Sequence, residues 1–282
     1  MARPLRIEFP GAVYHVISRG NALSPVFLDD NDHRIFMEIL GKTVRRYRWL
    51  CHAYCMMTNH YHLLVETPDA NLSGGMHHIN GTYSQRFNRN HNRPGHVFQG
   101  RFKSIIVEKE SYLLELVRHI AYNPVRAGMV NDLKEYCWSS YQATAGLEKP
   151  PEFLHTGWVL GQFGSTPEQA RIAFDKYMHE PSARACMPAK LYDRPILGSA
   201  LFFEKMQPYL KERSSIREIP RKQRFAGRPE LTDLFSVRIA SKAERNRLIR
   251  MAFLDFGYSQ TEIANAAGLH YSTVSRIVQQ NS

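Results

Sequence analysis

The stretch Cys51–Glu66, CHAYCMMTNHYHLLVE, decides the fold. It predicts two short strands, 51–57 and 60–66, folded back at Thr58-Asn59. Aromatic and apolar residues fill both arms, and Asn tolerates the left-handed backbone of a tight turn. On the second arm His60 and His62 sit two apart, so both imidazoles leave the strand on one side, close enough to share one metal ion. Tyr61, Leu63 and Val65 point the other way. Two alternating histidines are equally what a surface or core strand offers without any ligand role.

Outward from this hairpin, Ala12 to Ser18 alternates like a strand and stops at Arg19-Gly20-Asn21. Asp29, Asp30 and Asp32 open a helix to about Trp49, with Ile35, Phe36, Ile39, Leu40 and Val44 on its apolar face. A second helix is predicted from Asn71 to Asn90, although Gly74, Gly75 and Gly81 weaken its propensity. Val97 to Glu108 reads as a strand with Gly100 at a bulge. Glu110 to Tyr122 reads as a helix that stops before Asn123-Pro124, because proline biases its predecessor away from the α region. The order β-α-β-β-α-β-α predicts an α+β domain: a ferredoxin-like antiparallel sheet with helices on one face. His119 and Asn123, four apart on the last helix, share a side and can be laid over the histidine strand.

The chain has 282 residues, 43% hydrophobic and 22% charged, which suits a globular protein of about two domains. Its net charge of +11 points to a polyanionic partner, nucleic acid first. No run is long enough to span a bilayer and the N-terminus has no signal-peptide core, so a cytoplasmic protein with no membrane partner is expected. Cys51, Cys55, Cys137 and Cys186 are too sparse for a disulfide framework and are expected reduced, with Cys51 and Cys55 as packed free thiols rather than zinc ligands.

Three ordered motifs, AYCMMTNHYHLLVETP (53–68), GHVFQGRFKS (95–104) and VRHIAYNPVRAGMV (117–130), make residues 5–145 resemble the REP-associated tyrosine transposases. These belong to the single-strand DNA transposases with a His-hydrophobic-His pair. The resemblance implies a nuclease domain in which His60 and His62 bind Mg²⁺ or Mn²⁺, completed by a polar residue that maps onto Asn123. It also implies a helix tyrosine that attacks a DNA phosphate, leaving a 5′-phosphotyrosine and a free 3′-OH. This chain departs at that place: the nucleophile position holds His119, and Tyr122 lies three residues on, about 60° around the helix. Three readings stay open. Tyr122 takes over the attack; His119 attacks or binds metal; or cleavage is lost and a nucleic-acid-binding regulator remains. Arg19, Arg101 and Lys103 are candidates for contacts to single-stranded or hairpin DNA.

The boundaries read 1–147 for the nuclease-like domain, 148–229 for a helical segment with a basic linker, and 230–282 for an all-α C-terminal domain. In the last of these, helices are predicted at 243–255, 260–266 and 271–280, with Ser259 and Glu262 as a capping box. That spacing predicts a helix-turn-helix whose final helix offers Ser272, Thr273 and Arg276 to duplex DNA. The sequence leaves a homodimer open.

Overall fold

A computed structural model describes residues 7–180, 196–214, 229–236, 241–254 and 256–279. The basic linker read at 211–229 and Cys186 lie largely outside the described residues. The chain divides into two compact units, one within Arg6–Phe202 and the other within Phe203–Ser282. No described helix is long and apolar enough to cross a membrane.

The larger unit is built on β1 (Ala12–Arg19), α1 (Asp30–Tyr47), β2 (Leu50–Met57), β3 (His60–Thr67), α2 (Leu72–Asn90), β4 (Lys103–Val107) and α3 (Lys109–Ala121). Its strands pair in the order β2-β3-β1-β4, every pair antiparallel, as a split βαβ arrangement requires. A two-residue strand β5, Ile196–Leu197, adds itself parallel to β4 and is followed by a helix α8 (Ala200–Ser214). Nothing in residues 152–210 had suggested a strand, since two residues carry no alternation to read. The expected strand at 97–108 is shorter than its apolar pattern: it begins at Lys103, and Gly100, at φ 61, sits in the approach to it rather than in a bulge.

The α+β class and the antiparallel sheet stand as expected, but the helices do not all share one face. On one side Tyr61 packs on Phe36 of α1, with ring centroids 4.6 Å apart, and donates its hydroxyl to Asn80 of α2 at 2.5 Å. On the other side Val13, Ala53, Cys55, Leu64 and Ile105 pack under Leu113, Leu116 and Ile120 of α3. The central strands are apolar on both parities, so each face needs its own cover; a fully buried Leu, Ile or Phe is worth about 1.5–3 kcal/mol to folding. The α3 side is extended by α5 (Tyr141–Ala145), α6 (Gly157–Gly161) and α7 (Pro167–Met178), whose Tyr141, Val159, Phe174 and Met178 enter the same core. The helix through Gly74 and Gly75 forms because tertiary contact overrides propensity. A Cβ on Gly75 would lie 2.1 Å from the Trp49 ring, so only glycine lets α2 approach that closely.

A three-way brace sets α3 on the sheet. Buried His52 of β2 donates Nε2–H to Glu66 Oε2 of β3 at 3.0 Å, and Lys109 at the head of α3 reaches the same oxygen at 2.5 Å. The hydrogen bond from His52 is the main cause that holds the Glu66 carboxyl down at about 2, with Lys109 adding to it against burial. A carboxylate with a depressed pKa stabilises the fold above its unfolded value of about 4.3 and loses that contribution as pH falls toward 2. Glu66→Gln should therefore lower stability at pH 7 by about 1–2 kcal/mol, after allowing for residual solvent screening of this mostly buried group. The difference from wild type in urea midpoints should shrink at pH 3, where the wild-type contribution is already partly lost.

Candidate metal and DNA site

The antiparallel register assembles the site. Arg19 pairs with His60, Ile17 with His62 and His15 with Leu64, so Arg19, His15, His60 and His62 all project from one face. Lys103 of β4 stands opposite Ile17 and joins them. The rings of His60 and His62 lie 5.0 Å apart, edge to face. His62, only 6% exposed, meets His15 through Nδ1 to Nε2 at 2.9 Å. His119 descends from α3 onto the pair, its ring 6.5 Å from His62 and 6.4 Å from His15.

All four imidazoles are held neutral. Burial comes first as the cause, lowering His15 to about 3, His60 to about 4 and His119 to about 3. His62 is pushed well below the ordinary value, also by burial and then by its histidine neighbours. Cations add to the effect: Lys103 acts on His15, Arg19 on His60, and Arg126 on His119 and His62. The face is therefore a cluster of uncharged nitrogen donors ringed by exposed positive groups. Neutral imidazole is the form that binds metal, and the surrounding cations suit a phosphate backbone.

The residues expected at the site separate into two groups. His60, His62, His119, Arg19 and Lys103 come together on it. Asn123 lies at its edge. α3 ends at Ala121 with Tyr122 as its cap, as expected, but a separate short helix α4 (Asn123–Arg126) follows directly, with Pro124 in its first turn, where the missing N–H costs nothing. The Asn123 amide donates Nδ2 to the carbonyls of His119 and Ile120 at 3.0 and 3.2 Å, capping α3. Only its oxygen is left to face a ligand. Tyr122 turns into the core: it is 7% exposed and its hydroxyl donates to the Met178 carbonyl of α7 at 2.8 Å. Arg101 is exposed just before β4. Cys51 and Cys55 are buried free thiols, and burial raises Cys51 to about 12, so neither offers a thiolate.

Two residues escaped the sequence reading. His15 lies within a predicted strand, but its place beside His62 depends on strand register, which no single strand reveals. Arg126 falls beyond the expected helix stop. Because α4 follows α3 directly, the Arg126 guanidinium returns to the His119 carbonyl at 2.6 Å and to His119 Nε2 at 3.3 Å. A guanidinium only donates, so His119 Nε2 is the acceptor nitrogen of that ring.

The donor set fits a divalent ion at His60 and His62. His62 Nε2 is buried without a hydrogen-bond partner, and His60 has its Nδ1 engaged by Asn59 Oδ1 at 2.7 Å, which leaves Nε2 as its ligand atom. Among the described residues the tightest acidic and histidine group is elsewhere, at Asp29, Asp32 and His91. Its donors are already engaged: both Asp32 oxygens meet His91 Nε2 at 2.9 Å, and Asp29 caps α1.

In the smaller unit, helices α9 (Leu231–Ser236), α10 (Lys242–Leu254), α11 (Gln260–Ala267) and α12 (Tyr271–Gln279) enclose Ile249, Ala252, Ile263, Val274 and Ile277. Ser259 and Glu262 form the expected capping box, with bonds of 2.7 and 3.1 Å. Gly268, left-handed at φ 64, turns the chain into α12, leaving Ser272 and Arg276 exposed and Thr273 half-buried. His270 Nδ1 meets the Ser272 hydroxyl at 2.8 Å at the head of α12.

Tyr122→Phe should lower stability by about 1–2 kcal/mol, because the buried Met178 carbonyl loses its donor. Urea unfolding measures this directly.

Residues 9–123 match the family model described as "Transposase IS200 like". The chain is 26% identical over 128 residues to a protein of Haemophilus influenzae named "Putative REP-associated tyrosine transposase", covering 42% of this chain and 73% of that one. A solved structure, described as "Structure of the REP associates tyrosine transposase bound to a REP hairpin", is similar at a TM-score of 0.45 with 16% identity, covering 55% of this chain and 92% of its own. From the strand that carries His15 to the helix that carries His119, residues 9–123 are thus similar to the IS200-like transposases, and the resemblance to the REP-associated tyrosine transposases holds.

Proposed function

We propose that this chain is a transposase-derived DNA-binding protein. Its larger unit holds hairpin or single-stranded DNA at the histidine face, with a divalent ion on His60 and His62, and Tyr122 is not its nucleophile. The observation that carries the reading is the split between positions 119 and 122: the helix turns an imidazole to the site and commits the phenol to the Met178 carbonyl. For Tyr122 to reach a phosphate there, α3 would have to rotate or unwind, breaking the Glu66–Lys109 brace and the core under Leu116 and Ile120.

Arg19, Lys103 and Arg126 supply the positive potential that draws a phosphate backbone to the face, and the neutral imidazoles carry no charge to oppose a metal. A bound ion would polarise a phosphate oxygen as a Lewis acid. Imidazole donors favour a first-row transition metal over Mg²⁺, which prefers oxygen ligands, so Mn²⁺ is the better choice of the two. The nuclease-like region takes in the helices to Met178, since they share its core. In the smaller unit, α11 and α12 act as a helix-turn-helix on duplex DNA, with Ser272, Thr273 and Arg276 on the reading helix.

The test is incubation of the full chain with a single-stranded DNA hairpin and Mn²⁺. The wild type should bind more tightly with Mn²⁺ than without it and form no covalent adduct, and His60→Ala with His62→Ala should abolish the Mn²⁺-dependent gain. An acid-stable adduct on Tyr122 would overturn the reading. An acid-labile adduct on His119 would instead make the imidazole the nucleophile, a P–N bond forming as the P–O bond to the 3′ oxygen breaks and that oxygen leaves with a proton.

Arg276→Ala should weaken duplex binding by the full chain about tenfold and reduce the slope of log affinity against log salt by about 1. Titrations at three salt concentrations measure both.

A further inference from the structure

We propose that Asn59 is a positioning residue that sets the tautomer of His60, and that the Leu23 carbonyl, held by a left-handed turn, sets Asn59 in its turn. The proposal rests on the metal reading of His60 and extends it to side chains that do not touch the ion.

The direction of the relay follows from which groups can only accept. The Leu23 carbonyl has no proton to give, and Asn59 Nδ2 donates to it at 3.2 Å. That fixes the amide: its NH₂ faces Leu23 and its oxygen faces His60, 2.7 Å from Nδ1. The amide oxygen in turn can only accept, so His60 must carry its proton on Nδ1. With the proton on Nδ1, the neutral ring that ligates a cation has its bare lone pair on Nε2, the nitrogen left for an ion.

The origin of the relay is a backbone feature otherwise unexplained. Ala22 and Leu23 are consecutive non-glycine residues with φ of 50 and 60. Left-handed backbone costs about 1–2 kcal/mol per residue for ordinary side chains. Surrounding bonds hold the turn in place: Gly20 N–H donates to the Asn59 carbonyl at 2.8 Å, Asn21 N–H to Val97 at 2.9 Å, and Val26 N–H to Thr58 at 2.8 Å. Gly20 itself leaves no space for a side chain, since a Cβ there would fall 2.0 Å from the Ser24 carbonyl oxygen. The Leu23 side chain is 58% exposed, so packing of that leucine is not what the strain secures. What the turn does secure is the direction of the Leu23 carbonyl, aimed at the residue that precedes the histidine pair.

Long-range ¹H–¹⁵N spectra of the metal-free protein read the tautomer without any activity. Wild-type His60 should be protonated on Nδ1. In Asn59→Leu it should shift toward the Nε2-protonated form that imidazole favours in water, and Mn²⁺ affinity, read by electron paramagnetic resonance, should fall about 10- to 100-fold. Asn59→Asp, which still accepts from His60, should keep the wild-type tautomer; it serves as the readable variant if Asn59→Leu does not fold. A wild-type His60 protonated on Nε2, or an Asn59→Leu protein that folds and binds Mn²⁺ as tightly as wild type, overturns the relay while leaving the metal site standing. A wild type that binds no Mn²⁺ overturns the metal reading, and this role for Asn59 with it.

Discussion

The pairing of β1 with β3 is the constraint on which the rest of the molecule depends. Its register places His15, Arg19, His60 and His62 on one side of the sheet. A slip of one residue would send the β3 histidines into the aromatic core with Phe36 and Tyr83, and bring Tyr61 to the site. That cannot happen cheaply, because Tyr61 and Leu63 are fully buried on their own side while Leu64 is fully buried on the other. The two hydrophobic faces hold the register, and the register holds the chemistry.

The electrostatics follow from the same burial. Four imidazoles are kept uncharged by lack of solvent, with exposed Arg19, Lys103 and Arg126 around them. On the proposed function this arrangement would separate two tasks: lone pairs inside for a cation, charge outside for phosphates. Histidine at position 119 adds one more neutral donor where the resemblance implies a phenol. The same helix stays locked to the sheet through Lys109 and Glu66 and to α7 through Tyr122 and Met178. An attack that needs this helix to turn works against both attachments.

Much of this was legible in the chain itself. Alternation in CHAYCMMTNHYHLLVE defines the hairpin and puts His60 and His62 on one side, because strand parity is a local property. The helices at 30–47, 72–90 and 109–121 follow from apolar spacing, and Ser259 with Glu262 marks the start of α11 because a capping box is also local. The three ordered motifs carry the resemblance that the family match over residues 9–123 repeats. Net charge names a polyanion as the class of partner.

Tertiary structure alone decided what depends on neighbours distant in sequence. His15 meets His62 across 47 positions, a contact made by register. Tyr122 and His119 were rivals on the sequence because a helical wheel separates them by only about 60°. The fold separates them because α7 covers one and the sheet's histidines face the other. Asn123-Pro124 reads as a stop, yet the chain continues helically, since proline is tolerated in a first turn; only then does Arg126 return to His119. The further cover that α5, α6 and α7 give the α3 face of the sheet also escaped the reading, because residues 141–178 carry short amphipathic pieces whose partner surface lies far away along the chain. The sequence determined which residues alternate, cap and repeat; the packing of distant elements decided which side chains meet, because that requires burial on both faces of one sheet.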